Sequence, residues 1–510
     1  MTFRASFWCA TICLIMKPSL VAIVLLLVSA SLFAQSNMYS QWSNFPQDPN
    51  FFPIALWLQN TTWPMGTGAP YSSVPAAMKG TKMNILLAID NGGGGGYPAS
   101  CGVDTNNQFQ NLVNQGIYLI AATDGTNGTS ATSVACLQQL ATNLNSRQYL
   151  VGYNLGDEPS CTAQQNAAST LAATEALDSS RPFFWNMQGY LFMHGTCSGS
   201  VNTNFLKAIS IGSFDDYPLI GAWEVTQSIP NIAPSPHDVM WVQGWQVSSM
   251  VSNGRSGQPI WAYVDTGTSA LDYPTQNGSS CDETTNLCTQ SSGVHYFRAP
   301  GELVNAEVWM TLINGAMGIE YFCDDTNLLH GSTAYNFCLG ATTSSEASVA
   351  ANIASNLTYI DSAILSFAPQ LNSSVSGRCT MNTGTSYTNF TTSCSNGILT
   401  MATGNSSVPG SAIAKNYNGT LYLFADSDRN GSASMTFTLS GYAGQTATVV
   451  YDSNAQYDPT HSSVGTSFTL DGNGRFSDTF GANGHNYQPK IYKISGSGPA
   501  APTGLAAVVQ

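Results

Sequence analysis

Acidic side chains collect where apolar, strand-like runs of this chain end. The segment 149–159 begins with such a run and ends in Asp157, Glu158 and Pro159. Another apolar run, 259–264, is followed directly by Asp265. Two carboxyl groups that face each other can take complementary roles in one reaction. One donates a proton to the leaving group, while the other attacks the substrate or activates a water molecule. We take Glu158 as the candidate acid and Asp265 as its candidate partner.

A structural role for the first pair is the competing interpretation. Asp and Glu are favoured near helix N-termini, so Asp157 and Glu158 could simply cap the helix predicted over 162–177. If Glu158 is the acid, its pKa must be raised, and burial or a neighbouring carboxylate such as Asp157 would raise it. From this segment alone, both interpretations remain open.

The elements that would position these acids alternate along the chain. Apolar runs of strand type cover 51–58, 83–89, 117–122, 149–153, 182–187, 209–214, 259–264 and 315–322. Helical periodicity covers 109–113, 134–144, 162–177, 239–250, 299–313 and 348–367, with a weak first helix at 73–79. Alternating strands and helices predict an α/β fold, a (β/α)8 TIM barrel over residues 35–372. An open doubly wound sheet is the runner-up, but no glycine-rich phosphate turn follows the first run.

A barrel would bring the acids together, because catalytic groups lie at the C-terminal ends of its strands. The tips of strands four and seven face each other across the mouth, which matches Glu158 and Asp265. Cleavage of a glycosidic bond needs such a pair of carboxyl groups. The acids near strand ends are Asp90, Asp124, Asp157, Glu158, Asp215, Asp216, Asp265, Glu320, Asp324 and Asp325.

Aromatic and amide side chains near the same strand ends are candidates for substrate binding. Aromatic rings pack against the C–H faces of sugars, and amides and carboxylates bond sugar hydroxyls. For any single tryptophan, core packing is the competing role. The predicted substrate-binding residues are Trp57, Asp157, Trp185, Asn186, Asp216, Tyr217, Trp261, Tyr263 and Glu320.

Composition and the N-terminus indicate export. Only 9% of the 510 residues are charged, and 29 acidic residues outnumber 15 basic ones, which argues against a nucleic-acid partner. Lys17 precedes an apolar run, 20–32, and small residues follow, so residues 1–34 are predicted to be a signal peptide. An uncleaved anchor is the alternative. We expect a secreted or periplasmic protein without a membrane span once the peptide is removed.

The cysteine count agrees with an oxidising compartment. The sequence has 12 cysteines, and removing Cys9 and Cys13 with the leader leaves an even number. The predicted disulfides are Cys101–Cys136, Cys161–Cys197, Cys281–Cys288, Cys323–Cys338 and Cys379–Cys394. No CxxC or paired-histidine spacing occurs, so we predict neither a metal in the active site nor another cofactor.

From residue 373 onward the helical periodicity disappears and short alternating strands predict a β-sandwich over 373–495. Residues 496–510 are a Gly/Pro linker followed by what resembles the first strand of a fibronectin type III module. The segment Asp426-Ser-Asp-Arg-Asn-Gly431 copies the start of a calcium loop, but Phe437 stands where the loop needs its last glutamate. A hairpin turn is therefore the favoured interpretation.

The barrel resembles the clan A glycoside hydrolases, notably the family 42 and family 5 types. The residues that carry the resemblance are Gly-Asp-Glu-Pro at 156–159, the segment 298–303 with Trp309, and Gly315 to Phe322. Residues 476–480 and 490–493 are similar to the β-sandwich that follows many such barrels. The resemblance implies that a Glu after strand four is the acid/base and that a Glu after strand seven is the nucleophile. Asp157 stands where most members carry Asn.

Position 265 departs from that pattern, because Asp is one methylene shorter than Glu and its oxygens fall back by about 1.5 Å. Asp265 could be a nucleophile on an adjusted backbone, or the base for a water in an inverting reaction. Otherwise another group such as Asp216 or Glu320 acts. The expectation is a secreted, retaining hydrolase of a β-linked carbohydrate. A non-catalytic carbohydrate-binding or cell-surface protein with a degenerate barrel is the alternative.

Overall fold

The structure is a computed structural model. It describes residues 38–59, 74–89, 104, 107–123, 131–189, 197, 199–218, 238, 240–266, 280–282, 287–289, 295–297, 300–322, 347–384, 387–482 and 487–496. The predicted signal peptide, and all of the predicted C-terminal linker except Gly496, lie outside these residues.

Eight parallel strands close into a barrel in the order β1-β11-β7-β6-β5-β4-β3-β2. They are β1 (Ile54–Gln59), β2 (Ile85–Ile89), β3 (Tyr118–Ala122), β4 (Leu150–Asn154), β5 (Phe183–Gln188), β6 (Ile211–Asp215), β7 (Ile260–Val264) and β11 (Gly318–Phe322). Each lies within or next to one of the apolar runs of the sequence. The predicted closed barrel is confirmed, and the open doubly wound sheet is excluded because β1 pairs with both β2 and β11.

Helices alternate with these strands along the chain. Those following the barrel strands are α1 (Val74–Thr81), α2 (Gln108–Gln115), α3 (Ala131–Asn143), α4 (Cys161–Glu175), α5 (Gly199–Ala208), α6 (Trp241–Asn253), α7 (Gly301–Ile313) and α8 (Ala347–Ser366). A four-residue helix, α9 (Ala368–Leu371), follows, and α10 (Asn454–Tyr457) lies in the C-terminal region. Helix α5 was not predicted, because it is short, with 10 residues and few large apolar side chains. None of the described helices has the length and apolarity needed to cross a membrane.

Alternation along the strands separates an inner core from an outer layer. Inward side chains such as Trp57, Phe184 and Trp261 form one buried cluster, and outward ones pack against the helices. The N-terminal ends of the strands are closed by the segment before β1. Its Tyr39 hydroxyl donates to Met317 O at 2.6 Å. The described core of the barrel is thus plugged at one end.

An insertion follows β7. Its antiparallel sheet contains β8 (Ser280–Asp282), β9 (Leu287–Thr289) and β10 (His295–Phe297). The remaining strands build the predicted all-β sandwich from a six-stranded and a four-stranded sheet. They are β12 (Ser374–Thr380), β13 (Ser393–Asn396), β14 (Leu399–Thr403), β15 (Gly410–Tyr417), β16 (Thr420–Ser427), β17 (Ala433–Leu439), β18 (Thr446–Asp452), β19 (Ser467–Thr469), β20 (Arg475–Phe480) and β21 (Lys490–Ser495).

The segment 428–432 corrects one expectation. It joins β16, in the six-stranded sheet, to β17, in the four-stranded sheet. The two strands do not pair, so the segment crosses between sheets and the predicted hairpin turn is wrong. Asp428 N–H donates to Pro409 O at 2.9 Å, which fixes the start of this crossing.

The barrel and the sandwich share a continuous apolar core. Phe424 and Ile491 of the sandwich belong to the same buried cluster as Trp309 of α7. Trp309 Nε1 donates to the Tyr451 hydroxyl at 2.9 Å, and that hydroxyl donates to Asn305 Oδ1 at 3.1 Å. Such hydrogen-bonded aromatic contacts fix the position of one domain on the other.

Two predicted disulfides are confirmed, Cys161–Cys197 and Cys379–Cys394. Cys281 and Cys288 are paired residues of the β8–β9 ladder, and their disulfide remains a prediction. The pairs that involve Cys101, Cys323 and Cys338 lie outside the described residues and also remain predictions.

Candidate active site at the barrel mouth

The loop after β4 presents Glu158 in an unusual backbone conformation. Gly156 has φ 141° and Glu158 has φ 40°, in the left-handed region that costs a non-glycine residue about 1 kcal/mol or more. Asn154 supports the turn, because its Oδ1 accepts Gly156 N–H at 3.0 Å and its Nδ2 donates to Ala88 O at 2.9 Å. The strained turn leaves the Glu158 side chain exposed at the end of the strand.

The capping role is taken by another residue. Helix α4 begins at Cys161, and its N-cap is Ser160, whose Oγ accepts Ala163 N–H at 3.3 Å. Asp157 and Glu158 lie before that cap and do not serve the helix. The structural interpretation of these two acids is therefore wrong.

Glu158 is backed by a buried acid, Asp215, at the end of β6. Burial raises the pKa of Asp215 well above its usual range. The charges of Glu158 and Asp157 raise it further, as does a hydrogen bond with the Glu158 carboxyl. Burial therefore favours the protonated form of Asp215 beside Glu158, because a second negative charge there is costly away from water.

A chain of polar side chains runs below Asp157. Asn186 Nδ2 donates to Asp157 Oδ1 at 2.9 Å, and Ser213 Oγ lies 3.2 Å from Asn186 Oδ1 and 2.8 Å from Glu320 Oε2. Burial raises the pKa of Asp157 to about 6, although the bond from Asn186 lowers it. Burial also raises the pKa of Glu320 well above its usual range. The predicted residues Asp157, Asn186 and Glu320 thus belong to one network.

Asp265 is backed in the same way by Glu307 of α7. Both side chains are fully buried, and Asp265 N–H donates to Glu307 Oε2 at 3.2 Å. Burial raises the pKa of Glu307 well above its usual range, and the Asp265 charge and a carboxyl–carboxyl hydrogen bond add to this. Burial therefore favours the protonated form of Glu307 beside Asp265.

Tyr217 links the two carboxyl pairs. Burial raises the pKa of its phenol, and so do the charges of Asp215, Asp157, Asp265 and Glu158. The charges of Glu158 and Asp265 thus both reach this phenol, and the pairing of these two acids in one reaction stays a prediction.

Aromatic rings line this mouth. Tyr263 lies 5.1 Å from Trp57, and Phe322 lies 4.7 Å from Trp57 and 5.1 Å from Tyr217 between ring centroids. The Trp57 indole N–H and the hydroxyls of Tyr217 and Tyr263 are buried without a hydrogen-bond partner in the described structure. Such orphaned groups lose free energy unless a ligand or water pairs with them. We call these four rings the aromatic floor.

Two predicted binding residues lie elsewhere. Trp185 points outward and packs on Phe205 of α5 at 5.2 Å, because its strand turns alternate side chains away from the interior. Trp261 points inward but is fully buried in the plugged end, where its indole N–H donates to the Tyr39 hydroxyl at 2.8 Å. These two assignments to the mouth are corrected. Asp216 accepts from Gln246 of α6 at 2.5 Å, and its charge raises the pKa of Glu307, so its role at the mouth stays a prediction.

Sequence reasoning missed four members of the site. Asp215 was noted only as an acid near a strand end, and Ser213, Phe322 and Glu307 were not singled out. Ser213 and Phe322 occupy inward positions of β6 and β11, so strict alternation from Asp215 and Glu320 would have indicated them. Glu307 sits in a helix that is apolar almost all round, and an unpaired acid in such a helix is the available clue.

Metal-binding geometry is not found in the part of the site that the structure describes. Across the described residues, no group of three or more His, Cys, Asp or Glu side chains is placed to hold a metal ion.

Comparison with known proteins gives similarity of structure only. No protein-family model matches the sequence, and no curated protein matches it. A structure titled glycoside hydrolase is 10% identical, covers 88% of this chain and 93% of its own, and has a TM-score of 0.47. A family 5 glycoside hydrolase from Bacteroides vulgatus is 12% identical, with coverages of 87% and 89% and a TM-score of 0.45.

An alpha-amylase from Geobacillus thermoleovorans, in complex with acarbose, is 10% identical, with coverages of 88% and 99% and a TM-score of 0.42. At such identities and TM-scores these similarities do not carry the functional argument. The barrel is established by its own strand pairing, and the site by its own geometry.

Proposed function

We propose that this protein hydrolyses O-glycosidic bonds of a carbohydrate at the barrel mouth. The observation that supports this most is the arrangement of two carboxyl pairs, Glu158 with Asp215 and Asp265 with Glu307, around Tyr217. Glycosidic cleavage needs one carboxyl group that delivers a proton and a second that acts as nucleophile or base. Each pair offers one carboxyl group for one of these two roles.

Glu158 is the proposed acid/base. Asp215 beside it keeps a proton at neutral pH, because burial disfavours its charged form, so a proton is available to the Glu158 carboxyl with which it is hydrogen-bonded. Glu158 is the exposed member, so it is the one that can reach a glycosidic oxygen. Protonation of that oxygen lets the departing sugar leave as a neutral alcohol.

Asp265 is the proposed nucleophile. In the first step a carboxylate oxygen bonds the anomeric carbon while the bond to the departing oxygen breaks and Glu158 gives that oxygen its proton. In the second step Glu158 removes a proton from water, whose oxygen replaces Asp265 on the same carbon. Two inversions retain the anomeric configuration. Glu307 supports this role, because its neutral carboxyl stabilises the Asp265 carboxylate.

The aromatic floor suits a sugar ring lying over it. Ring C–H groups would pack on Trp57 and Tyr263, and the orphaned N–H and hydroxyl groups would pair with sugar hydroxyls. We further propose a β-linked oligo- or polysaccharide substrate and an exported enzyme. The resemblance of segment 156–159 supports the first, and the apolar leader and the disulfides support the second.

The test is a substrate panel of aryl β- and α-glycosides and of plant and microbial polysaccharides. Glu158→Gln should reduce kcat by about 10³-fold or more on β-linked substrates, and Asp265→Asn should do the same. Glu175→Gln, a matched change at the far end of α4, should leave kcat unchanged. NMR of the first product anomer distinguishes retention from inversion. Full activity of Glu158→Gln would refute the proposal.

A carbohydrate-binding protein without turnover is the second candidate. The observation that favours it is the complete burial of the Asp265 side chain, since a nucleophile must reach the anomeric carbon. It predicts that the wild type binds an oligosaccharide without cleaving it, and that Glu158→Gln binds equally well. Calorimetric titration combined with product analysis separates the two candidates.

A further inference from the structure

The charges of this chain are divided unevenly between the two ends of the barrel. Eight segments each connect the C-terminal end of a barrel strand to the next helix, and both ends of each segment lie at the mouth. They are residues 60–73, 90–107, 123–130, 155–160, 189–198, 216–240, 265–300 and 323–346. Together they contain 15 of the 29 acidic residues but only one of the 15 basic residues, Arg298. With histidine counted as neutral, their formal net charge of −14 equals that of the whole chain.

The plugged end has the opposite sign. Seven segments connect a barrel helix to the next barrel strand, and they contain four basic residues and one acidic residue, Asp178. The basic residues are Lys82, Arg147, Arg181 and Arg255. An excess of one charge around a concave site attracts ligands of the opposite charge and repels ligands of the same charge. The mouth therefore favours a cationic ligand over an anionic one.

Asp157 is the carboxylate best placed to meet such a ligand. It lies in the turn after β4, and its side chain is partly exposed. Asn186 Nδ2 donates to Asp157 Oδ1 at 2.9 Å, and the segment 155–160 contains no basic residue. Because its pKa is about 6, most of this carboxyl is ionised above pH 6.5, whereas burial favours the protonated forms of Asp215 and Glu320. Asp157 thus carries a negative charge that a bound cation can pair with.

Buried polar groups without partners give a second, independent indication of a ligand. Tyr263 is fully buried, and its hydroxyl has no hydrogen-bond partner in the described structure. Tyr263 is the register partner of Glu320, whose Oε1 is buried and equally unpartnered there. Glu320 Oε2 lies 2.8 Å from Ser213 Oγ, in the network that leads through Asn186 to Asp157. These oxygens can accept hydrogen bonds from a ligand, and leaving them unpaired costs free energy.

We propose that the mouth binds a polysaccharide whose sugar rings carry free primary amino groups, held as ammonium groups with Asp157 as the counter-charge. This inference rests on the proposed function and names its substrate class. An ammonium group has three N–H donors and no acceptor, so it matches carboxylate and hydroxyl oxygens that lack a donor. The faces of Trp57 and Tyr263 attract a cation as well. The Trp57 indole N–H, a donor, remains for a sugar hydroxyl.

The test compares two hexasaccharides of β-1,4-linked glucosamine, one with free amino groups and one fully N-acetylated. Calorimetric titration of full-length Glu158→Gln at pH 6.5, where a primary amine is protonated, should give a Kd at least about 10-fold lower for the free amine. A β-linked oligoglucuronate, the anionic probe, should bind more weakly than either. Adding Asp157→Asn should reduce the ratio of the two Kd values to about 2-fold or less. Asp471→Asn, which removes the same charge from an exposed turn of the sandwich, should leave that ratio unchanged.

Salt provides a second measurement that needs no change at Asp157. Raising NaCl to about 0.5 M should reduce the ratio of the two Kd values by about 3-fold or more, because salt screens the charges around the mouth. A ratio that is independent of salt contradicts the electrostatic origin of the preference. Equal Kd values for the two hexasaccharides, or no binding of either one, would overturn the substrate class.

These results separate the substrate class from the proposed function. If the wild type cleaves neutral or N-acetylated oligosaccharides and Glu158→Gln binds the free amine no more tightly, the substrate class is wrong and hydrolysis stands. If the free amine binds more tightly and Asp157→Asn removes the preference, but the wild type releases no product from it or from the substrate panel, the ligand class stands and hydrolysis is wrong.

Discussion

Replacing Asp157 by asparagine should stabilise the protein at pH 8 and change little at pH 4. Burial is the main cause that raises the pKa of Asp157, from its ordinary value of 3.8 to about 6, and the Glu158 charge contributes. A carboxyl whose pKa is higher in the folded state binds its proton more tightly there. Its contribution to stability is therefore fully present below pH 3.8 and is lost as pH rises through about 6.

The magnitude follows from the two pKa values. The difference between about 6 and 3.8, at about 1.4 kcal/mol per pH unit, corresponds to about 3 kcal/mol at pH 8. Asp157 is partly exposed, so solvent screening reduces this to about 1–3 kcal/mol. Asparagine keeps the hydrogen bond, because its Oδ1 can still accept from Asn186 Nδ2. For a chain of 510 residues, whose unfolding entropy is about 1 kcal/mol/K, the gain corresponds to a Tm rise of about 1–3 °C.

Differential scanning calorimetry of the wild type and of Asp157→Asn from pH 4 to pH 8 measures this gain. The Tm difference should be near zero at pH 4 and should grow through pH 6. Asp471→Asn is the control of opposite sign, because N–H groups of Asn473 and Arg475 lower the pKa of Asp471. A gain of equal size at every pH, or a loss at pH 8, would refute the charge-burial reasoning.

Two further variants test the aromatic floor and the N-cap of helix α4. Tyr263→Phe should lower kcat/KM about 10-fold while Tm stays constant, because the hydroxyl has no partner in the described structure; a lowered Tm with unchanged kcat/KM would contradict this. Ser160→Ala should lower the stability of α4 by about 1 kcal/mol, seen as a lower Tm, and leave kcat intact. Loss of kcat there would mean that the cap also positions Glu158.

The fold could be predicted because each buried strand of the barrel appears in the sequence as a run of apolar residues. Strands covered by helices on one side and by the barrel core on the other are apolar throughout, so each appears as a short continuous run. Helix α8 was visible through its periodic apolar face. Helix α5 was not, because its 10 residues hold only Val201, Phe205 and Leu206 as large apolar side chains, which is too short a pattern to recognise in the sequence.

The site was predictable only where strand ends carry an unusual residue type. Glu158 and Asp265 stand out as acids after apolar runs, but the direction of a side chain depends on register. Trp185 shows this, because Asn186 beside it points inward and Trp185 therefore points outward. Glu307 reaches Asp265 from a helix 42 positions later, and no local pattern reports such a contact.

Buried acids at the two ends of the barrel differ in their hydrogen-bond partners and in the direction of their pKa shifts. This contrast favours function at the mouth. Asp178 lies before β5, at the plugged end. Burial alone would raise its pKa, but hydrogen bonds from Ser180, Tyr153 and Arg181 lower that pKa to about 2. Arg181 Nη1 is 2.7 Å from its carboxylate.

At the mouth, Asp215 and Glu320 are equally buried, yet both keep an oxygen without a partner in the described structure and both have raised pKa values. The chain can therefore satisfy a buried acid with hydrogen bonds and an ion pair, as it does for Asp178. Leaving acids unpaired lowers stability as pH rises, as the Asp157→Asn experiment would measure. Such a cost is expected where the same groups must give and accept protons. The unpaired end is also the one that carries catalytic groups in barrels of this architecture.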